Sequence, residues 1–190
     1  MLIFSLNFLY EIVTVDMEVI MNKKDRKNEL FANAMSNLMK NKFGVSLDLL
    51  DEILKVDPND RLAWLARGSV YLKMGISQNA ISDFSKAIEL DSNYPKAFHL
   101  RGLAREMAGD DDDALKDFNT AIDIEPEYGA AYYSRATLLT QMGREDDATE
   151  DMKMVTHLTN MNIESFANDN NVWRSRQLQV EELFDSEIQR

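Results

Sequence analysis

Apolar residues recur along most of this chain at intervals of three and four, the spacing that gathers them on one face of a helix. Residues 61–94 hold two such runs. The first carries Leu62, Trp64, Leu65, Val70, Tyr71 and Leu72; the second carries Ala80, Ile81, Phe84, Ala87, Ile88 and Leu90, with Gly75 between them. The same arrangement then returns. Gly68 and Gly102 lie 34 residues apart, and the interval is kept by Gly75, Gly109 and Gly143, by Ala80, Ala114 and Ala148, and by Phe84, Phe118 and Met152. The pattern predicts four units, 27–60, 61–94, 95–128 and 129–162, each an antiparallel pair of helices. Sustained strand-like alternation is confined, at most, to the first twenty residues.

The rare backbone specialists agree with this division. Pro58 and Pro126 fall in joins between units and Pro95 opens the third, so all three avoid helix interiors, where proline costs about 3 kcal/mol. Gly75, Gly109 and Gly143 stand where a first helix must stop and reverse. Gly68 and Gly102 lie within helices, at about 1 kcal/mol relative to alanine. Small residues there, with Ala34 and Ala136 at the same place in the other units, let two backbones approach. Ser46, Ala80, Ala114 and Ala148 are the matching small residues of the second helices. In the first unit Gly44 comes three residues later than the other turn glycines, which predicts a longer first helix or a looser turn.

Trp64, Gly68, Tyr71, Gly75, Ala80, Phe84 and Ala87 in a 34-residue helix–turn–helix make this unit resemble a tetratricopeptide repeat. Unit 95–128 matches through Phe98, Gly102, Gly109, Ala114, Phe118, Ala121 and Pro126. The first unit shows it through Leu30, Ala34, Leu50 and Pro58, and the last through Tyr132, Ala136, Gly143 and Ala148. The resemblance implies an all-α, right-handed superhelical solenoid of four helix pairs whose first helices line a concave groove. Projected onto this chain, the groove positions are Phe31, Met35, Leu65, Ser69, Lys96, His99, Leu103, Tyr133 and Thr137, with Asn28, Met39, Leu62, Leu72, Met107, Ala130 and Gln141 beside them. Such a groove is apolar at its N-terminal end, and its methionines adapt to an irregular ligand.

Composition narrows the chemistry. The 190 residues carry a formal charge of -12, which opposes nucleic-acid binding. The absence of cysteine removes disulfides, thiolate metal sites and cysteine nucleophiles, and fits a cytoplasmic location. His99 and His157 have no metal-ligand spacing, and no phosphate loop, nucleophile elbow or dinucleotide fingerprint is present. No enzyme, cofactor or metal is therefore expected. The run Asp110, Asp111, Asp112 and Asp113 lacks the alternating ligands of a calcium loop and reads as an acidic helix start, as do Glu145, Asp146 and Asp147.

Arginine and aspartate repeat together. Arg67, Arg101 and Arg135 precede the small residue of the first helix in three units, and Asp83, Asp117 and Asp151 follow them at one constant interval. The first unit has Asn33 and Leu49 instead, lacking both. Joint presence and joint absence predict structural pairs between the helices of a unit, Arg67 with Asp83, Arg101 with Asp117 and Arg135 with Asp151. The functional alternative is an arginine ladder that reads an acidic partner.

The ends fall outside the repeats. Residues 163–190 are expected to cap the array by a C-terminal helix whose apolar face is Trp173, Val180, Leu183, Phe184 and Ile188. Residues 1–26 join an apolar stretch to a basic linker, the basic cluster being Lys23, Lys24, Arg26 and Lys27. Residues 1–20 are too short and too interrupted, by Glu11, Asp16 and Glu18, for a good membrane span. Three readings stay open for them: translation from Met17 or Met21, a segment folded onto the array, or a weak membrane anchor. Membrane association is expected only through that segment, and self-association through the terminal helices also stays open.

One branch of the tetratricopeptide family grips acidic chaperone tails with a clamp of lysines, asparagines and an arginine. The corresponding places here hold Phe31, Met35, Ala66, Lys96 and Leu100, of which only Lys96 fits. The reading is a non-enzymatic protein-interaction module, an adaptor or assembly scaffold that takes a peptide or amphipathic helix in its groove. The alternative is a client-specific chaperone shielding apolar segments of a secreted or membrane protein.

Overall fold

A computed structural model of the chain describes residues 24–169, with side chains to residue 162, and every element among them is a helix. In chain order these are α1 (24–39), α2 (Phe43–Val56), α3 (Arg61–Lys73), α4 (Ser77–Leu90), α5 (Pro95–Ala108), α6 (Asp111–Ile124), α7 (Gly129–Gln141) and α8 (Glu145–Asp169). By packing, the chain divides within the first turn of α6 into two compact units, 1–114 and 115–190. The residues 170–190 that carry most of the expected capping helix lie outside the described residues, as do residues 1–23. Helix α8 itself continues past residue 162 without a break.

The helix reversals share one geometry. Gly75, Gly109 and Gly143 have φ of 75°, 82° and 75°, the left-handed region in which a Cβ is penalised. The residue after each donates its N–H to the carbonyl five residues back: Ile76 to Tyr71, Asp110 to Arg105 and Arg144 to Leu139, each at 2.9 Å. The first helix pair closes in the same way, with Lys42 donating to Asn37 at 2.9 Å. There Asn41 holds the left-handed position, at φ 56° and one repeat period before Gly75. This corrects the expectation built on Gly44, which lies inside α2. The first helix is not lengthened to reach it, because asparagine tolerates the left-handed conformation and ends α1 in register.

Small residues bring the paired helices together. A Cβ on Gly68 would lie 2.7 Å from Cε1 and 2.8 Å from Cδ1 of Phe84, so α3 and α4 approach as closely as they do only because residue 68 has no side chain. Ser46 occupies the position of Ala80 in the first pair and is buried, and its hydroxyl donates to the Ala34 carbonyl at 2.9 Å. Asp60 caps α3 by accepting from the Ala63 N–H at 3.0 Å, and Pro95 opens α5. The acidic runs Asp111–Asp113 and Glu145–Asp147 form the first turns of α6 and α8.

In the first compact unit α2 packs on α3, α3 on α4 and α4 on α5, and α3 also touches α5. Two cores result. Ala34, Leu38, Leu50, Ile53, Ala63 and Val70 fill the space among α1, α2 and α3, while Leu65, Ala80, Phe84, Ala87, Ala97 and Ala104 fill that among α3, α4 and α5. In the second compact unit α7 packs on α8, with Ala136, Leu139 and Ala148 buried beneath Leu115.

Candidate functional site

Helices α1 and α3 place three of the projected inward positions, Asn28, Phe31 and Leu62, in one cleft of the first compact unit. It measures about 340 Å³ and is lined by Lys27, Asn28, Phe31, Asp57, Asn59, Asp60, Arg61 and Leu62. Phe31 is half-buried against the first core, and Leu62 is 48% exposed. Their apolar surfaces lie among charged groups that are held by one another. Lys27 Nζ lies 2.9 Å from Asp60 and 3.1 Å from Asp57. Its hydrogen bond to Asp60, then that to Asp57, raises its pKa above the ordinary lysine value against the effect of burial. Arg61 pairs with Asp91, and its guanidinium stacks 4.1 Å from the Tyr94 ring.

These contacts are periodic, a feature the sequence reading missed. Lys27 and Arg61 are first residues of successive repeats; Asp57 and Asp91 are their thirty-first, and Asp60 and Tyr94 their thirty-fourth. A basic side chain at the head of each of these repeats thus fastens to its tail. The clue lay in the shared 34-residue spacing of Lys27 with Arg61 and of Asp57 with Asp91.

The remaining groove positions divide by exposure. Met35, Ser69 and Leu103 are half-buried, and Lys96 is exposed. Leu65 is only 7% exposed and belongs to the core among α3, α4 and α5, so it offers no open surface to a ligand. His99 is also buried, and loss of hydration, with the positive Lys96 nearby, pushes its pKa down to about 4. Neutral at ordinary pH, it is a packing residue of α5 in the first compact unit. Tyr133 and Thr137 belong to the second, where both are exposed on α7 and the Thr137 hydroxyl donates to the Tyr133 carbonyl at 2.9 Å.

Arg67 and Arg135 are held on three sides. Arg67 donates from Nε and Nη2 to the two carboxylate oxygens of Asp83, each at 2.8 Å, and from Nη1 to Asp51 at 2.6 Å. Arg135 makes the same fork onto Asp151 at 2.8 and 2.6 Å, and its Nη1 donates to Asn119 Oδ1 at 2.6 Å. Arg101 Nη1 donates to Ser85 at 3.2 Å. Each guanidinium also lies over the aromatic ring three residues earlier, at 4.7 Å for Trp64, 5.5 Å for Phe98 and 5.4 Å for Tyr132. Asp83, Asp117 and Asp151 are all buried. Sequence reasoning pointed to the carboxylates that follow Arg67 and Arg135, and missed the acceptor that precedes each arginine by the same interval, on the helix before.

Two further clefts lie among the described residues. One of about 290 Å³ in the second compact unit is lined by the Arg135 network together with Leu115, Leu139, Arg144, Asp147 and Glu150. Another of about 300 Å³ lies between the start of α1 and the end of α2. Among the described residues no group of carboxylates and histidines is arranged to hold a metal, and no helix is long and apolar enough to cross a membrane.

A 34-residue helix pair, repeated with its turns and arginine stacks in register, defines a helix-pair repeat protein of the all-α class. The model of the family described as tetratricopeptide repeat matches residues 31–95, so that part of the chain is similar to tetratricopeptide repeats. Solved structures agree on the fold. A crystal structure of MamA shares 26% identity, covers 66% of this chain and 73% of its own, and superposes with a TM-score of 0.61. A MamA fragment from Desulfovibrio magneticus RS-1 reaches a TM-score of 0.66 at 18% identity, covering 71% of this chain and 76% of its own. The first repeat domain of Spaghetti (RPAP3), bound to an HSP90 peptide, gives 0.59 at 22% identity, over 63% of this chain and 94% of its own. No curated protein matches the sequence.

Proposed function

We propose that this protein is a non-enzymatic adaptor or assembly scaffold that holds an apolar peptide, or one face of an amphipathic helix, against α1, α3 and α5 of its first compact unit. The observation that carries this reading is the cleft where Phe31 and Leu62 meet inside a rim of mutually paired charges. Such a rim leaves the ligand's apolar side chains as the source of affinity, while Asn28 and Asn59 offer polar groups for its backbone. The RPAP3 domain takes a peptide with an acidic end. Here Phe31, Met35, Ala66 and Leu100 stand at four of the five places of that kind of clamp and only Lys96 fits it, so an apolar sequence is the expected ligand. The alternative, a chaperone for apolar segments of a secreted or membrane client, uses the same surface and differs in what it leaves behind.

The test substitutes Leu62, whose exposure allows a charge without unfolding. Full-length protein and its Leu62→Glu variant, matched by circular dichroism, are compared in affinity capture from the native cell. A partner bound by the first and lost by the second supports the cleft as the binding surface. Retention of the same partners by both excludes it. A stable stoichiometric complex marks a scaffold, whereas clients that aggregate when the protein is withdrawn mark a chaperone.

A further inference from the structure

The first helix pair ends in an apolar cleft. Leu30, Ile53 and Val56 form it, with Arg26, Lys27 and Glu52 at its margin, and Val56 is 75% exposed. Periodicity explains why it is open. Trp64 stands one repeat period after Leu30 and packs on the core of the pair that precedes it, α1 and α2. Leu30 holds the same register position, and among the described residues no helix pair precedes α1. A stacked array needs a cover at such an end.

We infer that the apolar segment within residues 1–20 of the same chain docks in this cleft and acts as the N-terminal cap of the first helix pair. Three observations converge. Residues 1–23 lead directly into α1, whose opening turn carries the cleft residues Arg26 and Lys27, so the segment is delivered to the site by its own connection. Its composition supplies what the cleft lacks, with Leu2, Ile3, Phe4, Leu6, Phe8 and Leu9 in its first half. Its charged side chains, Glu11, Asp16 and Glu18, all come after residue 10, so the first ten residues can be covered without burying a charged side chain. A tether this short also raises the effective concentration to the millimolar range, which favours the chain's own segment over a second copy.

The chain contains no cysteine, so thiol pairs can be placed at will. In the full-length protein Val56→Cys is combined in turn with Phe4→Cys, Leu6→Cys, Phe8→Cys, Tyr10→Cys and Ile12→Cys, and the rate of disulfide formation is measured. A docked segment gives a profile with register: one position cross-links roughly tenfold faster than those two residues away, within one chain and independently of protein concentration. A flat profile describes a loose tether and overturns the inference. Cross-links between chains that grow with concentration overturn it in favour of a second copy. A flat profile from a chain that sediments with phosphatidylglycerol vesicles overturns it in favour of a lipid surface. In the cysteine-free chain, Val56→Asp should in addition speed amide exchange across residues 2–15, and unchanged exchange there refutes docking at Val56.

Discussion

Removing the Arg67 guanidinium should be among the most damaging surface-accessible changes in the first compact unit. Arg67 retains 18% of its side-chain exposure, and its partner Asp83 retains 4%. Truncation to alanine strands the Asp83 carboxylate where water scarcely reaches it, which costs about 3 kcal/mol. Asp51, the second partner, keeps 41% exposure, and water replaces most of what it loses. The comparison is Arg26→Ala, which breaks a pair with Glu52 exposed at 72% and 44% and should cost under about 1 kcal/mol. Arg67→Lys should recover little, because the bidentate fork onto Asp83 needs two nitrogens in one plane.

The readout is urea unfolding followed by the fluorescence of Trp64, whose ring lies 4.7 Å from the Arg67 guanidinium, in a Trp173→Phe background. With a denaturant dependence of about 2 kcal/mol per molar, the Arg67→Ala midpoint should fall by roughly 1.5 M. Replacing both partners, Arg67→Met with Asp83→Leu, should return the stability to within about 1 kcal/mol of the parent, since no buried charge is then left alone. If Arg67→Ala costs no more than Arg26→Ala, the stack is not a structural tie and the arginines are free to read an acidic partner.

Gly68→Ala should lower stability by about 1–3 kcal/mol, because the new Cβ meets the fully buried Phe84 ring at 2.7 Å; Phe84→Leu in the same chain should recover part of the loss in the urea midpoint. Asn41→Gly should raise the stability read from that midpoint by up to about 1 kcal/mol, while Gly75→Ala lowers it by a similar amount, since both positions are left-handed. His99, pushed down to about 4 from an unfolded value near 6.5, binds its proton more readily in the unfolded chain. Its contribution is therefore complete above pH 6.5 and is lost as pH falls toward 4, by at most about 3 kcal/mol. A wild-type minus His99→Gln stability difference that stays constant across that window would count against its burial.

Features that repeat with their chemistry intact could be read from the sequence, and features that repeat in geometry alone could not. The turn glycines and the aspartates after each arginine keep one residue type, so the 34-residue interval exposes them. Asn41 performs the work of Gly75 with a side chain, and the search for a glycine led to Gly44 instead. The acceptors ahead of the arginines, Asp51, Ser85 and Asn119, change from carboxylate to hydroxyl to amide, yet each receives a bond from the same guanidinium nitrogen. Groove residues pose a different difficulty. Helix α3 packs against α2, α4 and α5, so it is apolar on more than one side, and spacing along it cannot say which apolar residue is covered. Leu62 and Leu65 fall on one helical face, yet one is 48% exposed and the other is sealed in the core. Only the stacking of neighbouring helices separates them. A charge at Leu62 therefore interrogates binding, whereas the same charge at Leu65 interrogates folding.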